Sequence, residues 1–193
     1  MILIFASVSE QQIRRFESGE IDKSGFIDIL VKADRIGLSQ IDRAVNVLSY
    51  GDEFSDYWDI IGDGEILAGG DGEALVVDPV SIEYEAEGEE DGYGFTVASP
   101  AVYMISDDVK RAAEILNPVS KEQFRDAFDF KMKKLTKWSF LSKKKQALKE
   151  SAPEIFDTLW DEIEALKAFY QRVSGDGGNF VVVFSMYEEE DFE

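Results

Sequence analysis

The feature that most constrains this chain is a stretch of 66 residues, from Ala44 to Val109, with 17 acidic residues and no lysine or arginine. The stretch accounts for most of the formal net charge of −20 on the 193-residue chain. A polypeptide charged in this way repels itself, stays soluble and attracts cations or basic partners. We therefore expect the stretch to be displayed outward as a recognition surface, without neutralisation by the rest of the chain.

The residue types that are missing exclude several kinds of site. The chain contains no histidine and no cysteine. A Ser-His-Asp or Cys-His catalytic site, a disulfide bond and a thiolate zinc site are therefore impossible. Hydrophobic residues make up 45% of the chain and aromatic residues 12%, which is enough apolar surface for a core and argues against global disorder.

The chain also lacks the signals of a membrane or secreted protein. No window approaches the roughly 20 apolar residues that cross a bilayer, and no basic region precedes the apolar N-terminus as in a signal peptide. The absence of cysteine suits a reducing compartment. We expect a cytoplasmic protein without a membrane or nucleic-acid partner, because an anionic surface is repelled by acidic lipid and by phosphates.

Apolar runs and helix-capping patterns predict a single α+β domain over residues 1–193. Runs at 1–8, 101–105 and 179–185 predict strands of a small mixed sheet. Capping boxes predict helix starts at Ser9 and Ser151, and a further helix is expected to open at Ser120. The clearest helical period lies within 153–173, and we expect this helix and the helix at 120–135 to pack on the sheet through aromatic stripes.

Elsewhere the pattern is less specific. Residues 39–42 are expected to mark the start of one further helix and Ser106 to cap another, while residues 25–31 are apolar but too few to distinguish a helix from a strand. Between residues 52 and 100 the helical period disappears and glycines recur, which predicts loops with one or two short strands. Residues 188–193 form an acidic tail.

Six short motifs follow one another along most of the chain. They are Val8-Ser-Glu-Gln-Gln-Ile13, Ile41-Asp-Arg-Ala44 with Leu48, Gly69-Gly70, Gly92-Tyr-Gly94, Ile105-Ser-Asp-Asp-Val109 and Leu166-Lys-Ala-Phe-Tyr170. In these motifs and their order the chain resembles the YfbM-like family of small bacterial proteins, a family of unknown function. The resemblance implies a compact α+β domain and supplies no activity. Compared with the family pattern, residues 74–91 and 133–150 resemble insertions. Val45-Asn46 stands where the family usually carries Trp-His.

Twelve residues of the acidic stretch make up the candidate binding surface. They are Asp52, Glu53, Asp56, Tyr57, Trp58, Asp59, Asp63, Glu65, Asp71, Glu73, Asp91 and Tyr93. Dense carboxylates can imitate DNA phosphates and occupy a basic cleft, as in nuclease inhibitors and immunity proteins, with aromatic side chains as anchors. We therefore interpret the chain as a non-catalytic interaction protein, of the inhibitor or immunity type, whose partner is a basic protein.

A carboxylate-based or divalent-metal-assisted hydrolase is the alternative, because paired acids can act as acid and base or hold Mg²⁺. The residues concerned would be Glu65, Asp71, Glu73 and Asp91 beside Tyr93. Their spacing does not single out an acid and a base. An EF-hand register that begins at Asp59 also fails, because Ile61 falls on a ligand position and Gly70 on that of the bidentate glutamate. We predict no cofactor and no metal site.

The segment Lys131–Lys149 is the electrostatic opposite of the acidic stretch, with eight lysines and no acid. We interpret it as an exposed helix or loop whose lysines face the acidic half, either within one chain or between two chains. Opposed patches of this kind favour self-association, because the basic patch of one copy can contact the acidic patch of the next.

Overall fold

A five-stranded sheet organises the chain, of which the computed structural model describes residues 2–50, 55–61, 64–77, 100–137, 143–175 and 179–186. The strands are β1 (Ile2–Ser9), β2 (Asp34–Leu38), β3 (Glu65–Ile66), β4 (Val102–Met104) and β5 (Asn179–Met186). Their order is β2-β1-β5-β4-β3, and each neighbouring pair is antiparallel. The α+β class and the strands expected at 1–8, 101–105 and 179–185 are confirmed. The sheet is antiparallel, however, where we expected a mixed one.

Helices follow or connect these strands. They are α1 (Glu10–Glu17), α2 (Lys23–Lys32), α3 (Ile41–Leu48), α4 (Ser106–Leu116), α5 (Lys121–Thr136), α6 (Lys143–Glu150) and α7 (Ala152–Gly175), with a 3-10 turn at Asp59–Ile61. Residues 25–31, which the sequence left open between helix and strand, therefore lie in α2. Within the described ranges no helix combines the length and the apolar character that a membrane crossing requires.

The two faces of the sheet carry two separate cores, because successive side chains of a strand point to opposite faces. Phe5 and Val183 belong to the larger core with the buried stripes of α3, α4, α5 and α7. Ala6 and Val182, their neighbours along the same strands, belong to the smaller core with α1, α2 and the segment 67–77. We call these the α7 side and the α1 side of the sheet.

Two of the predicted helix starts have capping boxes, of which the one at Ser9 was expected. The Ser9 hydroxyl accepts from the backbone N–H of Gln12, and the Gln12 side chain accepts from the backbone N–H of Ser9. Ser120 and Gln123 do the same at α5. At Ser106 the prediction was wrong, since Ile105 occupies the N-cap position without a side-chain bond. The Ser106 hydroxyl instead donates to the carbonyl of Asn179, at 3.3 Å, and so joins α4 to β5.

The start of α3 is capped by a side chain from a distant helix. Its N-cap residue, Gln40, makes no side-chain capping bond of its own. The carboxylate of Glu162 in α7 accepts instead from the backbone N–H groups of Ser39 and Gln40, each at 2.8 Å. A carboxylate at this position satisfies unpaired N–H groups and complements the positive end of the helix dipole. The contact fixes α3 against α7.

Candidate functional site

The structure divides the predicted site residues between the two sides of the sheet. Five of the twelve lie outside the described residues, namely Asp52, Glu53, Asp63, Asp91 and Tyr93. Asp56, Tyr57, Trp58 and Asp59 lie on the α7 side, where the two aromatic side chains are half-buried against the larger core. Glu65 in β3, with Asp71 and Glu73 in the loop after it, lies on the α1 side. The described residues therefore do not form one continuous surface.

The acids of the α7 side are partly neutralised. Arg111 of α4 lies 3.6 Å from the carboxylate of Asp56 and 3.3 Å from that of Asp59. These exposed pairs add little stability, because solvent screens them. They do reduce the local negative charge, so that this part of the predicted site is less suited to attract a basic partner.

On the α1 side, Tyr103 of β4 brings together two carboxylates that are distant in the sequence. Its hydroxyl lies 2.9 Å from Glu65 Oε2 and 3.1 Å from Glu17 Oε1. Burial, reinforced by these hydrogen bonds, raises the pKa of Tyr103 above the ordinary value for tyrosine. The phenol therefore stays protonated and donates its single proton to one or the other carboxylate.

A close backbone contact joins the turn after α1 to the loop that carries Asp71 and Glu73. Gly19 has a φ of 75°, and a Cβ placed on Gly70 would lie 2.5 Å from the Gly19 nitrogen. Only glycine at position 70 permits this approach. Asp22, Asp71 and Glu73 consequently border a common cavity of about 320 Å³.

We call the resulting surface the acidic face. It consists of Glu17, Glu20, Asp22, Glu65, Asp71 and Glu73, all of which are exposed. Of the nearby cations, Arg15 pairs with Glu20 at 2.8 Å and Lys23 borders the cavity. The face remains acidic overall, and half of its members come from outside the predicted site. Sequence reasoning missed Glu17, Glu20 and Asp22 because α1 and its turn are remote from residues 65–73 along the chain.

The acidic face and the lysine-rich helices lie on opposite sides of the sheet. Helices α5 and α6, which carry these lysines, pack on each other and on α7. In the ranges that the structure covers, no ion pair joins an acid of 56–73 to a lysine of 131–149. The contact expected within one chain is therefore not formed between these residues. The contact between two chains stays a prediction.

A second concave feature, which the sequence did not indicate, lies on the α7 side. We call it the groove; its volume is about 770 Å³. Its lining residues come from α3, α5, α6, α7 and the turn at Trp58, and are Ser39, Gln40, Asp42, Arg43, Asn46, Val47, Trp58, Phe128, Lys131, Met132, Leu135, Leu148, Glu154, Ile155, Thr158 and Leu159. The ammonium of Lys131 donates to the Asn46 carbonyl at 3.1 Å, and burial lowers the pKa of Lys131. The spacing of Phe128, Met132 and Leu135 shows an apolar stripe on α5 but not that the stripe is left uncovered.

Within the described part of the chain, no group of three or more aspartates and glutamates is arranged to hold a metal ion.

The chain is similar to known proteins in its sequence and in its fold. The model of a family described as a domain of unknown function, DUF1877, matches residues 1–183, and the chain belongs to this family. A solved structure of similar fold is that of the protein of unknown function YfbM from Escherichia coli. It is 13% identical, has a TM-score of 0.58, and the match covers 96% of this chain and 100% of that one. This identity shows the shared fold alone. The comparison with curated proteins found no match.

Proposed function

We propose that this protein is a non-catalytic interaction protein that binds a basic partner through the acidic face, in the manner of an inhibitor or immunity protein. One observation carries the proposal: the Tyr103 hydroxyl lies within hydrogen-bond distance of both Glu17 and Glu65, on the side of the sheet opposite the lysine-rich helices. The absence of cysteine suits a reducing cytoplasm, where we propose that the protein acts.

The arrangement has two physical consequences for binding. Exposed carboxylates on a protein of net charge −20 steer a basic partner toward the surface and accelerate association. Whichever of Glu17 and Glu65 accepts the proton of the Tyr103 hydroxyl loses less side-chain entropy on binding than a free glutamate would. The acids contribute mainly association rate and orientation, and the affinity should therefore fall as salt is added.

The proposal is tested by neutralising part of the face without changing the shape of its side chains. The triple variant Glu65→Gln, Asp71→Asn, Glu73→Gln should bind the basic partner about tenfold more weakly, since each exposed charge contributes at most about 1 kcal/mol. The partner is first isolated at low salt from the cells in which the protein is native. Its affinity for each purified variant is then measured by calorimetry over a series of salt concentrations.

A second triple variant separates the acidic face from net charge. Glu114→Gln, Asp129→Asn and Glu164→Gln remove the same charge from exposed positions on α4, α5 and α7. This control should bind nearly as well as the wild type. Equal weakening by both triple variants would refute a specific role for the acidic face. The hydrolase alternative requires a different result, namely a rise in thermal stability with Mg²⁺ or Ca²⁺ and not with the basic partner.

A further inference from the structure

The groove has the size and lining of a small-molecule site. Cavities that hold small ligands measure roughly 300–1,000 Å³ and combine an apolar lining with a few polar groups. The groove, at about 770 Å³, has Val47, Trp58 and Leu159 among its apolar lining residues. Val47 and Leu159 are buried members of the larger core, which makes the walls rigid.

The positive charges of the groove are the feature that selects a ligand. Arg43 and Lys131 line it, and within the described ranges neither forms an ion pair with an acid. The lack of ion pairs at these two cations stands out because the chain has 40 acidic and only 20 basic residues. Lys131 is half-buried and uses one hydrogen bond on the Asn46 carbonyl, so two of its three N–H donors remain for a ligand.

Two acids also line the groove, Asp42 and Glu154. Both acids are exposed, as is Arg43, whereas Lys131 is half-buried, so solvent screens the other three charges more strongly than the ammonium of Lys131. Burial disfavours the charged form of Lys131, and a ligand anion beside its ammonium would offset part of that loss.

From this geometry we propose that the groove binds a small amphipathic carboxylate, with its apolar body against Trp58 and Leu159 and its carboxylate between Arg43 and Lys131. The groove and the acidic face lie on opposite sides of the sheet, so this inference does not depend on the function proposed above. It assigns the molecule a second binding site, for an anion, in a protein that is strongly anionic as a whole.

The net negative charge of the protein favours a cationic ligand, whereas the proposed site favours an anionic one. Probes of opposite charge therefore distinguish the two effects. Three probes with the same chain but different head groups are compared: decanoate, decanol and decyltrimethylammonium. Non-specific attraction by a protein of net charge −20 would favour the cationic probe. The groove should instead bind decanoate with one-to-one stoichiometry, at least about tenfold more tightly than the cationic probe. Calorimetry measures the affinity, and the fluorescence change that disappears in Trp58→Phe locates the probe.

Four substitutions complete the experiment. Arg43→Gln and Lys131→Met should each weaken decanoate binding by about tenfold, the usual size of one charge-assisted hydrogen bond, with little effect on decanol. Thr158→Phe, which fills the groove from the exposed face of α7, should abolish the binding of both. Lys133→Met, on α5 but outside the groove lining, is the matched control and should leave the affinity unchanged. Circular dichroism checks that each variant is folded. If Lys131→Met does not fold, Arg43→Gln alone tests whether decanoate binding depends on the positive charges.

Three outcomes would overturn the inference. The first is equal or tighter binding of decyltrimethylammonium, which would show that net charge decides the preference. The second is the absence of saturable decanoate binding. The third is equal weakening by Lys133→Met and Arg43→Gln, because Lys133 does not line the groove.

Discussion

Substituting alanine for Gly70 is expected to destabilise the protein by about 3 kcal/mol, the upper part of the range for overpacked sites. A Cβ at position 70 would lie 2.5 Å from the nitrogen and 2.6 Å from the Cα of Gly19. Both atoms belong to the backbone, so no side-chain rotation relieves the contact. The loop must move away from α1, which also separates Asp71 and Glu73 from the rest of the acidic face. Urea denaturation measures the loss of stability.

Gly175→Ala is the matched control for Gly70→Ala. Gly175 is the last residue of α7, and a Cβ there would meet no atom of the described residues within 4 Å. Alanine in a helix is favoured over glycine by up to about 1 kcal/mol, so this variant should be as stable as the wild type or slightly more stable. Wild-type stability of Gly70→Ala, in the same denaturation experiment, would show that the two glycines do not approach as described.

Tyr170→Phe should cost about 2 kcal/mol of stability, because it leaves a buried carbonyl without a hydrogen-bond donor. The hydroxyl of Tyr170 is completely buried and donates to the carbonyl of Ile60 at 2.6 Å. Burial also raises the pKa of Tyr170, which keeps the hydroxyl protonated. This bond joins α7 to the turn beside Trp58, so its loss should loosen one wall of the groove as well.

A second tyrosine gives the control for Tyr170→Phe. Tyr57 is only half-buried, and its hydroxyl makes no hydrogen bond with the described residues. Tyr57→Phe should therefore change stability by less than about 0.5 kcal/mol, as most surface substitutions do. Thermal denaturation of the two variants side by side tests the difference. Equal stabilities would mean that the bond between Tyr170 and Ile60 does not contribute.

The parts of the fold that could be predicted are those whose signals are local. The capping box at Ser9 involves residues three apart, and the strand of 179–185 contains an uninterrupted apolar run. Strand β2 was missed because it is an edge strand of only five residues, of which Leu38 alone is buried. The cap of α3 could not be predicted, because its carboxylate comes from Glu162, more than 120 residues away.

The candidate site depends even more than the fold on contacts between residues that are distant in the sequence, and these contacts could not be predicted. Composition identified Glu65, Asp71 and Glu73 as surface acids, and the structure places them on the acidic face. It could not show that the sheet separates them from Asp59, or that the Tyr103 hydroxyl joins Glu65 to Glu17. These relations depend on strand order, which the sequence pattern does not specify. The groove was missed for a related reason, since an apolar stripe on a helix is usually covered by its neighbours.

Zero-length cross-linking with a carbodiimide tests most directly whether the acidic face and the lysine-rich helices are separate. The reagent joins a lysine to a carboxylate only when the two are in contact. In dilute protein, mass spectrometry should find links from Lys121 to Asp157, whose charged atoms are 3.9 Å apart, and from Lys110 to Asp107, whose charged atoms are 3.2 Å apart. It should find no link within one molecule between Glu65, Asp71 or Glu73 and any lysine of 131–149. Abundant links of that kind would show that the two charged regions neutralise each other, which would contradict a free acidic face.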